Sequence, residues 1–430
     1  MLIRTLRRLG NQKLAIMTAA MMCAFTSVPA GSQETDSDSS KTIKIGYLGS
    51  LTSIGKEVGQ TMLNGMELYI DEIHHTMAGK KVDFIVENDG SDRLQAVAKV
   101  HKLIEQDKVS ILTGLSLSNV LNAVAPVVEA AQVPLVIGVA AADDVTQRRH
   151  SDWVVRTGYA SSQPAHALGD YAYTKLGYRK VVTFGADYVY GYEAVGGFQQ
   201  TFEDAGGRVI QKIWVPLTLK DYSSFIKQIR AADADAVLLC MVGPSATLVG
   251  KQLRALGYKL PIIGVAHTFD ESLYGDISDE FNGAIGCNPY TVALDNAANR
   301  HFVKAYRDKF GVDPSYYSAF GFTAMMAIDK AVEAAGGNLD KQKIAAALRK
   351  VSLTNDPRGP ATMDQYGNIV DNMYIYRVER VKGKLQNTVI STYPMVSQFW
   401  KYKPAKYLQQ PAYSREYPPC NYCLEKQSGK

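Results

Sequence analysis

The chain has 430 residues, 46% of them hydrophobic, with 47 Lys and Arg against 42 Asp and Glu. Four of the basic residues, Arg4, Arg7, Arg8 and Lys13, fall in the first thirty positions with no acidic one, so the remainder is close to neutral and has no general attraction for nucleic acid or an anionic lipid surface. A chain of this size exceeds what one hydrophobic core holds, and two lobes are expected.

Residues 1–30 have the layout of an export signal: a basic start, an apolar stretch over 14–28, and Val28-Pro29-Ala30 as a cleavage site near Ala30. The apolar stretch is shorter than the roughly 20 residues that span a bilayer, and no later stretch is apolar for as long, so no direct membrane insertion is expected. Met21 and Met22 before Cys23 argue against a lipidated cysteine, and Arg7-Arg8 is only a faint twin-arginine signature. Residues 31–41, GSQETDSDSSK, read as a flexible lead-in.

From Thr42 onward short β-branched runs alternate with longer helical patterns. The predicted strands are 43–48, 82–86, 110–115, 134–139, 180–184, 209–215, 236–242 and 261–266. Most are apolar throughout, as strands covered on both faces must be. Between the first two, Met62, Met66, Tyr69 and Ile73 recur at helical spacing; Leu94, Val97, Val100 and Ile104 do so after the second. Glycines close several helices, as in Ala205-Gly206-Gly207 and Leu256-Gly257. The strand, loop, helix, strand plan of 43–86 restarts over 180–215. The reading is an α/β protein with two Rossmann-like, doubly wound lobes and a crevice between them. Ligands of such sheets sit beyond the carboxyl ends of the strands, which points to the strand-to-helix loops.

Gly49-Ser-Leu-Thr-Ser-Ile-Gly55-Lys56-Glu57 nearly imitates a phosphate-cradling loop, but it has five residues between its glycines and Glu57 where a hydroxyl should hold magnesium. It reads instead as a small-residue loop offering N–H groups and the hydroxyls of Ser50, Thr52 and Ser53 to a ligand at a helix start. No nucleophile, base and orienting group can be named together, so an enzyme is not expected. His74 and His75 are adjacent and cannot share a helical face as metal ligands; with His101 and His301 they read as surface residues, and no metal or cofactor is expected. His267, at the carboxyl end of a predicted strand, is a candidate ligand contact, as is Tyr190 beside Gly191 in a strand-to-helix loop. Cys420-Asn-Tyr-Cys423 lacks two further zinc ligands and a helix start, leaving a local disulfide or two idle thiols; pairing among these and Cys240 and Cys287 stays open.

The ordered series GYLGSLTSIG, VENDGSD, ADYVYGYEAVGGFQQTFEDAGG, DYSSFIKQIRAADADAVLL, LRALGY and GVDPSYYSAFGFTAMMAIDKAVEAAGG resembles the periplasmic solute-binding proteins of the leucine/isoleucine/valine-binding type, over roughly residues 42–395. The resemblance implies the type I periplasmic binding protein fold, with three crossings near 156–158, 286–289 and 363–372. One lobe then combines 42–157 with 288–364, the other 158–287 with 365–400, and 401–430 forms a C-terminal extension. It also implies hinge closure on a small-molecule solute, and a membrane permease of an ABC importer as partner. By position it assigns ligand contact to Ser118 in GLSLSN, Ala140 and Ala141, and Tyr190, where the family holds a carboxylate on backbone N–H groups and hydroxyls; Ser116 in the same loop is a further candidate contact.

Three positions depart from amino-acid binders: Val58 and Val242 stand where they have tyrosines, and Ala266 where an acidic residue pairs with the α-ammonium. A buried ammonium without an anion costs several kcal/mol, so an aromatic or hydrophobic carboxylate is expected instead, with Asp270 or Glu271 as the fallback anion. The tail SQFWKYKPAKYLQQPAYSREYPP at 397–419 resembles that of members which bind such acids. A branched-chain or other amino-acid binder, and a sensory module for a membrane receptor, remain the alternatives.

Overall fold

The protein is described by a computed structural model over residues 41–276 and 279–423; the export signal and all but the last residue of the lead-in lie outside the described residues. The first sheet takes β1 (Thr42–Gly49), β2 (Thr76–Met77), β3 (Lys80–Asn88), β4 (Ile111–Gly114), β5 (Leu135–Ile137) and β6 (Val154–Arg156) in the order β2-β3-β1-β4-β5-β6. All its pairings are parallel except β2 with β3. The helices α1 (Lys56–Glu72), α2 (Arg93–His101) and α3 (Ser118–Ala130) connect its strands. Both faces are therefore covered, and β4 and β5 are buried along their whole length.

The chain then passes to a second sheet through α4 (Ser162–Thr174). Here β7 (Lys180–Ala186), α5 (Val189–Asp204), β8 (Arg208–Val215), the single turn α6 (Ser223–Ile226), β9 (Ala236–Cys240), α7 (Pro244–Ala255), β10 (Ile262–Val265) and β11 (Ile285–Asn288) repeat the alternation, with parallel order β11-β10-β9-β7-β8. It returns to the first lobe with α8 (Ala297–Phe310), α9 (Tyr316–Ala334) and α10 (Lys341–Leu348), whose side chains join the first-sheet core. Helix α9 is apolar on nearly all sides and is buried accordingly. The short strands β12 (Ser352–Leu353) and β13 (Ala361–Met363) follow; β14 (Ile369–Val381) begins on β13 and continues along β11, and its hairpin partner β15 (Lys384–Val396) leads to the turn α11 (Pro404–Tyr407). Type I periplasmic binding architecture, with two doubly wound lobes and three crossings, is the fold.

One charged cluster fastens these crossings. Arg358, 1% exposed, points Nε at Asp356 (3.1 Å) and Nη1 at Asp371 (3.1 Å), and donates to the carbonyl of Gly158 (3.3 Å). Gly158 lies on the first passage between lobes and Asp371 on the third. The guanidinium stacks 4.9 Å over Phe320 of α9, and Thr323 of the same helix donates to Asp356.

Cys420 and Cys423 form a disulfide, while Cys240 and Cys287 are free and buried in the second lobe.

Candidate functional site

The loop after β10 of the second sheet meets the start of α9 of the first lobe, where His267 contacts Tyr317, and the same local device sets each lobe's first loop. A Cβ on Gly59 would stand 2.0 Å from the carbonyl of Ser50, and one on Gly191 would stand 1.9 Å from that of Ala186. Only glycine lets α1 and α5 begin this close to the ends of β1 and β7.

In the first lobe the loops are tied to one another. The Ser50 N–H donates to Ser116 Oγ (3.1 Å) and its hydroxyl to Asp89 (2.7 Å). That engages the Ser50 hydroxyl expected to meet a ligand. Thr52 and Ser53 are exposed at the rim, Thr52 accepting from Asn88 (3.0 Å), so the loop is held open by its own contacts rather than folded inward. The Ala140 N–H is engaged with the carbonyl of Leu115 (2.9 Å), and the carbonyl of Ala141 accepts from Ser161. Ser118, 4% exposed, is the first residue of α3 and lies at its N-terminus.

Val58, Ala141 and Ala266 come together, with Tyr159, Tyr290, Tyr316, Tyr317 and Phe320, in one apolar cluster that draws on both lobes. Val242 stands apart, half-buried against the second-lobe core. At its centre this cluster holds His267. Its Nε2 is 2.8 Å from the Tyr159 hydroxyl, and its Nδ1 is 2.8 Å from that of Tyr317 and also meets that of Tyr316. Tyr190 sets its ring edge-on to the imidazole at 4.6 Å and donates to the carbonyl of Val265 (3.2 Å). Burial drives the His267 pKa down to about 3, so the ring is neutral. Of these aromatic residues, sequence reasoning named only His267 and Tyr190. Tyr316 and Tyr317 were missed because they start a helix of the other lobe, and Tyr159 because it lies on a passage between lobes; an N-terminal Ser315 before a pair of tyrosines was the one available signal.

The two fallback anions separate. Glu271 accepts from the N–H groups of Val292 (3.0 Å) and Asn387 (3.0 Å) and from Thr291 (3.3 Å), three bonds that hold it as a structural clasp. Asp270 accepts from the backbone N–H (2.8 Å) and the side chain of Ser272, its Oδ2 has no partner among the described residues, and burial pushes its pKa up to about 7.

Ala266, immediately before His267, sits at φ 41°. An alanine held there costs about 1 kcal/mol or more. Ala266→Gly is expected to leave stability within about 1 kcal/mol of the parent, whereas Ala266→Val loses roughly 1–3 kcal/mol, read by urea denaturation.

Among the described residues no group of three or more His, Cys, Asp or Glu could hold a metal, and no helix is long and apolar enough to cross a membrane.

Two doubly wound α/β lobes whose strand-to-helix loops meet around His267 have the architecture of a solute-binding protein. The sequence profile of the periplasmic binding protein family matches residues 42–384, and the chain belongs to that family. It is 27% identical over 400 residues to the Leu/Ile/Val-binding protein homolog 6 of Brucella suis biovar 1, covering 90% of this chain and 97% of that one. An ABC transporter solute-binding protein of Rhodopseudomonas palustris BisB5, solved with 3,4-dihydroxybenzoic acid, superposes with a TM-score of 0.79 at 29% identity, covering 83% of this chain and 99% of its own. Another from R. palustris, solved with benzoate, does so at 0.77 and 26%, covering 83% and 97%.

Proposed function

We propose that this protein is exported, loses its signal near Ala30, and captures an aromatic carboxylate between its lobes for delivery to the permease of an ABC importer. The carboxylate would meet the first-lobe helix start at Ser118 and the ring would lie against Tyr190, Val58 and Ala266. Closure follows because a ligand touching both lobes binds the closed state better and shifts the population toward it.

The observation that carries the choice of ligand is the hydrogen count around His267. Three phenols and a neutral imidazole bring four polar hydrogens, while the imidazole offers one lone pair. With the Nε2 tautomer, His267 donates to Tyr159, one of Tyr316 and Tyr317 donates to Nδ1, and the other donates to its neighbour; the Tyr159 hydrogen is left over. With the Nδ1 tautomer the surplus hydrogen falls on Tyr316 or Tyr317. Either way the buried cluster wants an acceptor, and an unsatisfied donor here costs about 1–3 kcal/mol. An oxygen on the far side of an aromatic acid supplies that acceptor. An ammonium, which can only donate, does not.

Isothermal titration of the mature protein tests this. Benzoate, 4-methoxybenzoate and 4-hydroxybenzoate are expected to bind, the 4-oxygenated acids about tenfold more tightly, whereas 4-(aminomethyl)benzoate, whose far end is an ammonium, is not. Heat with leucine or valine alone would overturn the reading.

A second reading, an amino-acid binder, draws on the Brucella relative and on the free oxygen of Asp270. Under it Asp270→Ala abolishes leucine binding; under the aromatic reading that substitution leaves benzoate affinity within a few fold.

A further inference from the structure

The tail that follows β15 is more than an appendage of the second lobe. Gln398 donates to the carbonyl of Thr146 (2.9 Å) and to Asp364 (2.8 Å), and Thr146 donates back to Gln398 Oε1 (3.0 Å). Thr146 lies between β5 and β6 of the first sheet. Phe399, 2% exposed, sets its ring 5.0 Å from Tyr366 before the chain crosses onto α4 and α5. There Tyr402 donates to Asp204 (2.5 Å), Tyr413 meets His166 Nε2 (3.0 Å), and Gln199 donates to the carbonyl of Pro419 (2.9 Å). A Cβ on Gly196 would stand 2.5 Å from the Tyr413 ring, so α5 carries a notch that this ring occupies.

Midway, Gln410 is bound to both lobes at once. Its carbonyl accepts from Arg148 of the first lobe (2.6 Å) and its side chain from Gln200 of the second (3.3 Å). Beneath it, Tyr407 and Tyr413 close a cavity of about 10 Å³, room for a single water, at the seam where the Asp143 N–H donates to Glu193 Oε1 (3.0 Å) of α5. Asp143, Glu193 and Gln147 line that cavity, and Asp143 Oδ2, Glu193 Oε2 and Gln147 Nε2 have no partner among the described residues.

We propose that residues 397–423 form a strap, a fourth and non-covalent connection between the lobes, which restrains hinge opening in the unliganded protein and seals the buried Asp143–Glu193 seam against water. Any opening that moves Arg148 away from Gln200 breaks one of their two bonds to Gln410. The strap thus raises the closed population before any ligand arrives, and apparent affinity scales with that population.

The test needs no ligand. Nitroxides on His101→Cys and Lys227→Cys, exposed positions on the two lobes, report the interlobe distance by pulsed electron–electron resonance in the full mature chain; Cys240 and Cys287 are buried and the other pair is oxidised. The parent is expected to give one narrow distribution. Arg148→Ala with Gln398→Ala, which cuts only first-lobe anchors, is expected to broaden it toward longer distances, and removal of residues 401–430 to broaden it further. Should the truncated chain fail to fold, the double variant decides alone. Identical distributions in parent and double variant would overturn the strap. With 4-hydroxybenzoate as probe, the double variant should also bind at least about threefold more weakly with a faster off-rate. If that acid does not bind at all, the ligand assignment fails while the distance measurement still judges the strap.

Discussion

Arg358→Ala is expected to lower the unfolding free energy by about 3–5 kcal/mol, the range for stranding a buried charge. The alanine leaves the carboxylates of Asp356 and Asp371, 1% exposed each, without their cation, and leaves the Gly158 carbonyl without a donor. It also removes the stacking on Phe320. Because the guanidinium joins the first passage between lobes to the third, the loss is not confined to one core. Burial pushes the Asp371 pKa up to about 7 even beside Arg358, so without the cation Asp371 must take up a proton or sit unpaired; Arg358→Ala combined with Asp371→Asn removes that demand and should recover part of the deficit, a coupling that a double-mutant cycle in urea measures. A loss below about 1 kcal/mol for the single variant would mean that solvent reaches the cluster and that it does not fasten the crossings.

Much of the fold can be read from residues 43–265, because parallel strands buried on both faces leave uninterrupted apolar runs that few other elements produce. The elements that escaped are those without such a run. Strand β6 is Val154–Arg156 and β11 is Ile285–Asn288, three and four residues that carry an arginine and an asparagine. The long hairpin of β14 and β15 packs only partly, and its polar alternation, as in Arg377-Val378-Glu379-Arg380, reads as surface. The candidate site is legible for a different reason and to a smaller degree. His267 and Tyr190 follow from the rule that ligands sit at the carboxyl ends of strands. Tyr159, Tyr316 and Tyr317 obey no such local rule, since tertiary folding alone brings α9 of one lobe against the β10 loop of the other. The hydroxyl of Ser50 shows the reverse case: a small polar residue in a loop of the right kind, yet bound to Asp89 of the adjoining strand's loop.

Asp270→Asn is expected to raise stability, and the gain should grow with pH. In the folded protein burial holds the Asp270 pKa at about 7, with the Ser272 N–H pulling the other way; in the unfolded chain it returns to about 3.9. Between those values the folded state keeps a proton that the unfolded state has released. Stability contributed by the neutral acid is therefore complete below about pH 4 and is lost as pH rises toward 7, after which both states are ionised and no more is lost. Asparagine mimics the protonated acid and does not titrate. The two proteins should be nearly equal at pH 4, and the variant should lead by up to about 4 kcal/mol at pH 8, three pKa units at 1.36 kcal/mol each. Thermal melts of the unliganded proteins across that range check the divergence. A pH-independent gap would mean that Asp270 is ionised in the folded crevice. It would then be a ready partner for an ammonium group, the acceptor-seeking cluster around His267 would lose its claim to set the ligand class, and the amino-acid reading would move ahead of the aromatic one.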